Sequence, residues 1–177
     1  MNPPRSEDPP PVSWHASDGE TLLLRPIRAD DATLISAFVR GLSFGARYFR
    51  FGRGDYDLTE EEVVRLCSPN PDACVHLLVL QRSDEGEAIV GSARIVFEAG
   101  SPAAELAITV KDEWQARGVG KRLVDALLAN ARQRGLAEVH ARILGTNAGM
   151  IEFMHRCGFA VEDSAEGAWL KVARMRL

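Results

Sequence analysis

Hydrophobic side chains recur along this chain with two spacings, one typical of helices and one of strands. Over residues 31–42 they stand three and four positions apart, which places them on one face of a helix: Leu34, Ile35, Phe38, Val39 and Leu42. The segment 118–134 has the same period and ends at Gly135, a residue type favoured after helix ends. Shorter helices are predicted over 44–51, 59–67 and 147–157.

Short runs of β-branched and apolar residues lie between the helices, and they predict strands over 21–27, 76–81, 88–97, 104–110, 138–143, 159–162 and 169–174. In the run 104–110 the side chains alternate, so Leu106, Ile108 and Val110 share one face and Glu105 lies on the other. The strand, helix and strand over 104–143 form a crossover, which predicts one parallel pair. The expected class is α/β, with a mixed, mostly antiparallel sheet flanked by helices.

Length and composition fit one folded unit. The chain has 177 residues, 46% of them hydrophobic, which is enough for one core but short for two. Five of its nine prolines fall at the N-terminus, where apolar side chains are scarce. Because such a segment cannot offset the entropy lost on ordering, residues 1–13 are expected to be a disordered tail and 14–177 a single domain.

Charge and residue spacing narrow the range of partners. A formal net charge of −4 and a pI near 5.6 argue against nucleic acid and anionic membranes as partners. The chain shows neither an apolar run long enough to span a membrane nor a secretory leader, so we expect a cytoplasmic protein. The cysteines and histidines lack the spacing of a metal site, so no metal is expected. The sequence does not indicate an oligomeric state.

A polar segment with two glycines separates the strand 104–110 from the long helix. Gly118 and Gly120 allow the backbone to come close to a ligand, and amide groups at the start of a helix point their donors and the positive end of the dipole at an anion. The segment therefore predicts a phosphate or pyrophosphate site.

Three kinds of nucleotide loop differ in the residues that they need. A P-loop needs glycine where Gln115 stands and serine or threonine where Arg122 stands. A dinucleotide fold needs a third glycine where Leu123 stands and an acid at the end of the next strand, whereas Glu138 lies at its start. The pattern that fits is Q-x-x-G-x-G, formed by Gln115, Gly118 and Gly120.

That pattern resembles the acyl-CoA signature of the GNAT superfamily of N-acetyltransferases. The stretch ELAITVKDEWQARGVGKRLVDALLANA resembles the family's strand, loop and helix, and NAGMIEFMHRCGF its following helix. With the N-terminal LRPIR, the resemblance covers about residues 21–174. It implies the GNAT fold, acetyl-CoA as co-substrate, and a strand ending at Val110 that is splayed from its neighbour.

The resemblance also implies which residues hold acetyl-CoA. Backbone groups near Ile108 and Val110 are expected to pair with the pantetheine arm. Loop amides are expected to bind the pyrophosphate, and they belong to Gln115, Ala116, Arg117, Gly118, Val119, Gly120 and Lys121. Asn147 matches a position that contacts the arm near the thiol, although asparagine there is also a favoured helix cap. The Arg117 and Lys121 side chains are either ligands or solvated charges.

Transfer to an amine needs a base that removes a proton from the ammonium. We predict Glu105 for this role, because its strand leads directly to the loop and it matches a glutamate that serves as base in one branch of the family. The alternative is that Glu105 is only an exposed strand residue. In that case the base would be Glu87, Glu98 or a chain of water molecules. Met154 stands where the family often has a tyrosine that protonates the thiolate, and His155 is expected at the surface, so water is the expected acid.

The segment LRPIRADDATLISAFVRGLSFGARYFRFG indicates the class of acceptor. It resembles bacterial protein lysine acetyltransferases of the Pat type in a leucine-serine pair and an aromatic-arginine cluster: Leu42, Ser43, Arg47, Tyr48, Arg50 and Phe51. The resemblance implies a protein lysine as acceptor, although the aromatics could equally anchor a short helix. Acetylation of a small amine, such as a polyamine, amino acid or antibiotic, is the alternative, and a non-catalytic acyl-CoA sensor is a further one.

Overall fold

The computed structural model describes residues 8–16 and 19–177, and its centre is one eight-stranded sheet with the order β1-β2-β3-β4-β5-β6-β8-β7. The strands are β1 Val12–His15, β2 Thr21–Pro26, β3 Cys74–Ser83, β4 Gly86–Phe97, β5 Ala103–Val110, β6 Glu138–Leu144, β7 Ala160–Ser164 and β8 Gly167–Arg176. Among the described strands, only β5 and β6 pair in parallel. The predicted α/β class and mixed sheet are therefore confirmed.

Helices cover both faces of the sheet. They are α1 Ala32–Arg40, α2 Phe44–Phe51, α3 Glu60–Cys67, α4 Val119–Gln133 and α5 Ala148–Arg156. On one face, α1 and α3 pack their apolar residues against Leu78, Leu80 and Ile89. On the other face, the apolar side of α4 joins the larger core, together with Met154 from α5. This arrangement follows from the amphipathic spacing in each helix.

Local sequence sets the ends of the short helices. Ser43 caps α2, its side chain accepting a hydrogen bond from the Ala46 amide at 3.1 Å. Thr59 and Glu62 cap the start of α3 reciprocally, the side chain of each accepting from the backbone amide of the other. Because these caps satisfy donors that the helix itself leaves free, both helices begin where the sequence indicates.

The N-terminal segment corrects one prediction. Residues 12–15 form the edge strand β1, which pairs Val12 with Leu24 and Trp14 with Leu22. The predicted tail, residues 1–13, is thus too long at its C-terminal end, because Val12 and Ser13 are part of the sheet. Its first seven residues lie outside the described part of the chain. No helix among the described residues has the length and apolarity required to cross a membrane.

The parallel pair of strands opens into a fork. Its paired residues are Ala103 with Glu138, Ala104 with Val139, and Glu105 with His140. Beyond Glu105, β5 continues to Val110 and β6 to Leu144 without further pairing between them. The two strands therefore diverge after Glu105, and the gap faces the loop that leads into α4.

Two polar pairs lie on the face of the sheet that α1 and α3 cover. The Arg25 guanidinium donates two hydrogen bonds to the Asp31 carboxylate, at 2.7 and 2.6 Å, with both side chains 3% exposed. His76 Nε2 lies 2.8 Å from the Ser92 hydroxyl. Because each group has a partner, the cost of burying it is offset.

Candidate active site

The loop between β5 and α4 has an unusual backbone. After a 3-10 turn at Asp112–Trp114, Ala116 has φ of 58° and Gly118 has φ of 83°. Alternation of left-handed and ordinary conformations turns successive amides toward one side of a loop, where they form an anion-binding concavity. Gly118 serves as N-cap of α4 and offers no side chain to cap its amides.

Several loop amides have free donors. The N–H groups of Ala116, Gly118, Val119, Gly120 and Lys121 donate no hydrogen bond to any residue of 8–16 or 19–177. The first amides of a helix also carry the positive end of its dipole. Free donors and a positive potential at one place are what a pyrophosphate needs, so this loop fits the phosphates of acetyl-CoA.

The charged side chains of the loop are engaged with neighbours. The Arg117 guanidinium lies 4.7 Å from the centre of the Trp114 ring and forms an ion pair with Glu20 at 3.5 Å. Lys121 donates to both carboxylate oxygens of Asp125 at 2.6 Å. The backbone amides are therefore the principal donors that the loop offers to an anion.

Gly120 allows close packing beneath the loop. A Cβ atom added there would lie 3.1 Å from Phe153 Cζ, on α5, and 3.7 Å from Ile108 Cδ1, on β5. A side chain at this position would therefore be tight against the Phe153 ring, whereas the distance to Ile108 is an ordinary van der Waals contact. At Gly118 the space is open, and the positive φ is what favours glycine.

The backbone of β5 offers hydrogen-bonding groups to the fork. Lys111 N–H donates to the Val90 carbonyl at 3.0 Å, and Glu98 N–H donates to the Ala103 carbonyl at 3.1 Å, so odd-numbered residues of β5 bond to β4. Successive residues of a strand point their backbone groups to opposite sides. The groups of Ile108 and Val110 consequently face the gap, as expected for partners of a pantetheine arm.

Gln115 ties the loop to the end of β5. Its side-chain amide donates to the Val110 carbonyl at 3.3 Å and to Asp112 Oδ1 at 3.1 Å. This explains a glutamine at the first position of the signature, because an amide group can bridge a strand carbonyl and a turn carboxylate. In this conformation the Val110 carbonyl already has a partner, whereas its N–H remains directed at the gap.

Asn147 is the N-cap of α5. Its side-chain oxygen accepts from the Met150 amide at 3.2 Å, which is the usual capping bond. The side-chain Nδ2 of Asn147 makes no hydrogen bond to the described residues, whereas its backbone N–H donates to the Leu144 carbonyl at 2.8 Å. The structural role and the predicted contact with the cofactor arm are thus compatible.

Glu105 lies at the point where the fork opens. It is exposed, it faces Val96 of β4, and it is the last residue of β5 that pairs with β6. The competing acids lie elsewhere: Glu87 pairs with Arg82 at 2.7 Å at the tip of the β3–β4 hairpin, and Glu98 lies 3.4 Å from His140 Nε2. Of the three carboxylates, Glu105 is the one on the strand that borders the fork.

The residues considered for protonating the thiolate are poorly suited to it. Met154 is fully buried in the core and has no acidic proton. His155, the next residue, is exposed, as expected for a neighbour on a helix that faces another direction.

Two arginines occupy the same sheet face as Glu105. Burial and the nearby charge of Arg94 lower the pKa of Arg50 to about 10, although Glu105 and Tyr56 act in the opposite direction. The sequence pointed to Arg50 through its aromatic-arginine cluster but missed Arg94. A signal was present, because Arg94 interrupts an apolar strand on the face that Ser92 also occupies.

Comparisons with known proteins agree with this geometry. The model of the "Acetyltransferase (GNAT) family" matches residues 39–159. Acetyltransferase Pat of Mycolicibacterium smegmatis is 38% identical over 71 residues, which are 40% of this chain and 21% of that protein. The L-methionine sulfoximine/L-methionine sulfone acetyltransferase of Pseudomonas aeruginosa is 29% identical over 109 residues, 56% of this chain and 63% of the relative.

Among solved structures, the GNAT domain of PAT from S. lividans superposes with a TM-score of 0.82 at 25% identity, covering 94% of this chain and 97% of that domain. The chain spans about a fifth of the length of the M. smegmatis relative, 21% by matched residues. The residues that the family model matches include both strands of the fork, the amide loop, α4 and α5. The chain therefore belongs to the GNAT acetyltransferase family.

Proposed function

We propose that this enzyme transfers the acetyl group of acetyl-CoA to the side-chain amine of a protein lysine, by direct attack with Glu105 as the general base. The observation that carries the proposal is the position of Glu105, exposed at the opening of the fork and on the face that α2 borders. The similarity to proteins named Pat supports a protein acceptor.

In the proposed reaction, the loop amides from Ala116 to Lys121 hold the pyrophosphate, and the backbone of Ile108 and Val110 aligns the pantetheine arm. The predicted contribution of the Gln115 amide is not included, because this N–H already donates to the Asp112 carbonyl at 3.2 Å. Glu105 accepts the proton that the acceptor ammonium loses, directly or through one water. The neutral amine then attacks the thioester carbonyl, and its nitrogen, now cationic, loses a second proton to water. The tetrahedral intermediate collapses to the amide by breaking the carbon–sulfur bond. Water protonates the departing thiolate, because the position of the usual tyrosine is the buried Met154.

The surface of α2 supports a protein as acceptor. Its exposed aromatic side chains are Phe44, at 69% exposure, Tyr48 at 43% and Phe49 at 40%. Tyr48 and Phe49 meet edge to face, with ring centres 5.7 Å apart. Exposed apolar groups that lie together commonly mark a protein interaction surface. Here they flank the face that carries Glu105.

A small amine is the second candidate. The resemblance to the L-methionine sulfoximine/L-methionine sulfone acetyltransferase supports it, because that relative is named for two amino-acid derivatives. The arginines beside Glu105 also suit an acceptor that carries a negative charge. The two candidates differ in whether the amine belongs to a macromolecule.

Acetylation with isotopically labelled acetyl-CoA separates the candidates. Parent enzyme is incubated with intact proteins, lysine peptides, polyamines and free amino acids, and label transfer is followed together with CoA release. Label on lysine side chains supports the proposal, whereas label confined to small amines contradicts it.

Because acetyl-CoA is the donor and the three cysteines are free thiols, we further propose that the enzyme acts in the cytoplasm.

A further inference from the structure

A pair of positive charges lies beside the proposed base. Arg94 of β4 stands opposite Ala107 of β5, and Glu105 stands opposite Val96, so Arg94 and Glu105 are diagonal neighbours on one sheet face. The Cα atoms of such diagonal neighbours on adjacent strands are roughly 7–8 Å apart, which is within reach of long side chains. Arg50 comes from α2, which packs against β5. The two guanidinium groups therefore lie near each other on the sheet side that carries Glu105.

Neither guanidinium has a carboxylate bound to it. Within the described chain, Arg50 and Arg94 make no hydrogen bond or ion pair, and Arg94 Nε is buried without any partner. The neighbouring acid Glu62 is already used, accepting from the Tyr56 hydroxyl at 2.7 Å and from Thr59. The surroundings thus hold more donors than acceptors.

A third donor on this face is independent of the arginines. Thr109 is 8% exposed, and its buried hydroxyl has no hydrogen-bond partner among residues 8–16 and 19–177. It stands opposite Ser92, and on β5 it lies on the same face as Glu105 and Ala107. Buried polar groups are normally satisfied, so unsatisfied donors clustered on one face point to a missing acceptor.

Electrostatics favours an anion at this place. Arg94 repels Arg50, and desolvation together with this repulsion depresses the pKa of Arg50. Glu105 supplies one negative charge against two positive ones. A second carboxylate would neutralise the remaining charge, and the planar guanidinium is well matched to it because it binds carboxylates in a bidentate manner.

We propose that Arg50 and Arg94 bind a carboxylate that the acceptor carries close to its reacting amine. The inference rests on the proposed acetyl transfer and makes the substrate class more specific. The carboxylate has two possible sources: an aspartate or glutamate beside a protein lysine, and the α-carboxylate of a free amino acid. Both present the same group to the same two arginines.

The test compares matched acceptors that differ only in this charge. One arm uses a capped lysine peptide with glutamate next to the lysine, against the same peptide with glutamine. The other arm uses a free amino acid against its amide. For the parent enzyme we expect kcat/KM to be about 10- to 100-fold higher for the carboxylate in at least one arm, the effect of one hydrogen bond to a charged group.

Variants then assign the preference to the arginines. In Arg94→Gln and Arg50→Gln the ratio between matched acceptors should fall toward one, while acetyl-CoA affinity stays as in the parent. Arg94→Lys should retain part of the ratio, because it keeps the charge but loses the bidentate geometry. Arg132→Gln, an exposed position at the far end of α4, is the matched control and should keep the full ratio.

The outcomes are distinguishable. A preference in the peptide arm identifies an acidic protein sequence, and a preference in the other arm identifies a free amino acid. A parent enzyme that acetylates both members of each pair equally overturns the carboxylate site but leaves acetyl transfer standing. A parent that acetylates no amine at all refutes the proposed function, and the inference with it. Because the ratio is measured first in the parent, a variant that fails to fold does not affect this decision.

Discussion

Glu105 and His140 are the last pair of residues that join β5 to β6 in parallel. Beyond them the strands part, and the Ile108 and Val110 backbone groups face the gap. The proposed base therefore lies where the fork begins, and the amide loop lies past its other end. In the proposed binding mode, the fork would align the thioester arm between the amide loop and the Glu105 carboxylate.

A matched pair of glycine variants tests the amide loop. Gly118 and Gly135 both have positive φ, 83° and 73°, and both have open space where a Cβ would lie. Valine at either position should cost roughly 1–2 kcal/mol of stability through the backbone alone. Only Gly118→Val should also weaken acetyl-CoA binding, by about 10-fold or more, because it disturbs amides that bind a charged group. Calorimetric titration measures both; equal affinity in the two variants would show that the phosphate site lies elsewhere.

Gly120→Val tests the packing below the loop. The new side chain would meet the Phe153 ring, whose nearest atom is 3.1 Å from the Cβ position, and would displace the backbone whose amides are proposed to bind the pyrophosphate. We expect a folded protein that has lost most of its acetyl-CoA affinity. Gly45→Val, at a helical glycine with open surroundings, should bind as the parent does. Normal titration of a folded Gly120→Val protein would mean that the loop has been misplaced.

Asp31→Ala tests the buried ion pair. Burial tends to raise the pKa of Asp31, but hydrogen bonds from Arg25 and from the Arg28 amide outweigh it and hold the pKa below its usual value. Removing the carboxylate leaves Arg25 buried without its partner, so the free energy of unfolding should fall by about 3–5 kcal/mol. Asp30→Ala, at the exposed neighbouring position, should change it by less than about 0.5 kcal/mol.

The Arg25–Asp31 ion pair also predicts how the free energy of unfolding changes with pH. Because the folded pKa of Asp31 is lowered, its contribution is present above the unfolded value of about 3.9 and is lost as the pH falls through the folded value. Urea unfolding of parent and Asp31→Ala between pH 7 and 3 should show the difference in stability shrinking only below about pH 4. A difference that is already absent at pH 7 would contradict a stabilising pair.

His76 should make the fold sensitive to milder acid. Burial first, and the charges of Arg94 and Arg50, lower its pKa to about 4, so between pH 6.5 and 4 the unfolded chain binds the proton more readily. Stability should fall as the pH drops through this window, by about 2 kcal/mol between pH 7.5 and 5. His76→Gln should flatten this part of the urea-midpoint profile, whereas His155→Gln, at an exposed position, should follow the parent. An unchanged slope in His76→Gln would mean that His76 titrates normally.

Strong local patterns made much of the fold predictable. The apolar periods of α1 and α4 and the capping residues of α3 are local, and the predicted bounds of α2, 44–51, agree with the structure. Strand β1 was missed because its four residues follow a proline-rich stretch and depend on pairing with β2. Trp14 also makes a contact that is much more distant in sequence, with Arg122 lying 4.5 Å from its ring centre.

The acceptor side was less accessible from the sequence. Arg94 lies in a strand that reads as apolar, and its proximity to Arg50 exists only once α2 has packed on the sheet. The splay of β5 from β6 depends on how two strands that are distant in sequence pair with each other. No local pattern predicts it, and only the family resemblance implied it. The residues proposed to bind acetyl-CoA remain predictions that the variants above address.

The central claim, that Glu105 is the general base, is tested by the pH dependence of CoA release in Glu105→Gln, with Glu98→Gln as the control on the adjacent turn. Glutamine keeps the shape and the hydrogen bonding but cannot accept the proton, so turnover should fall by roughly 10²–10⁴ at neutral pH while acetyl-CoA affinity is unchanged. The loss should shrink as the pH rises toward the amine pKa of about 10.4, because more acceptor is then already neutral. A Glu105→Gln enzyme with parental rates, or one that loses only acetyl-CoA affinity, would contradict the assignment.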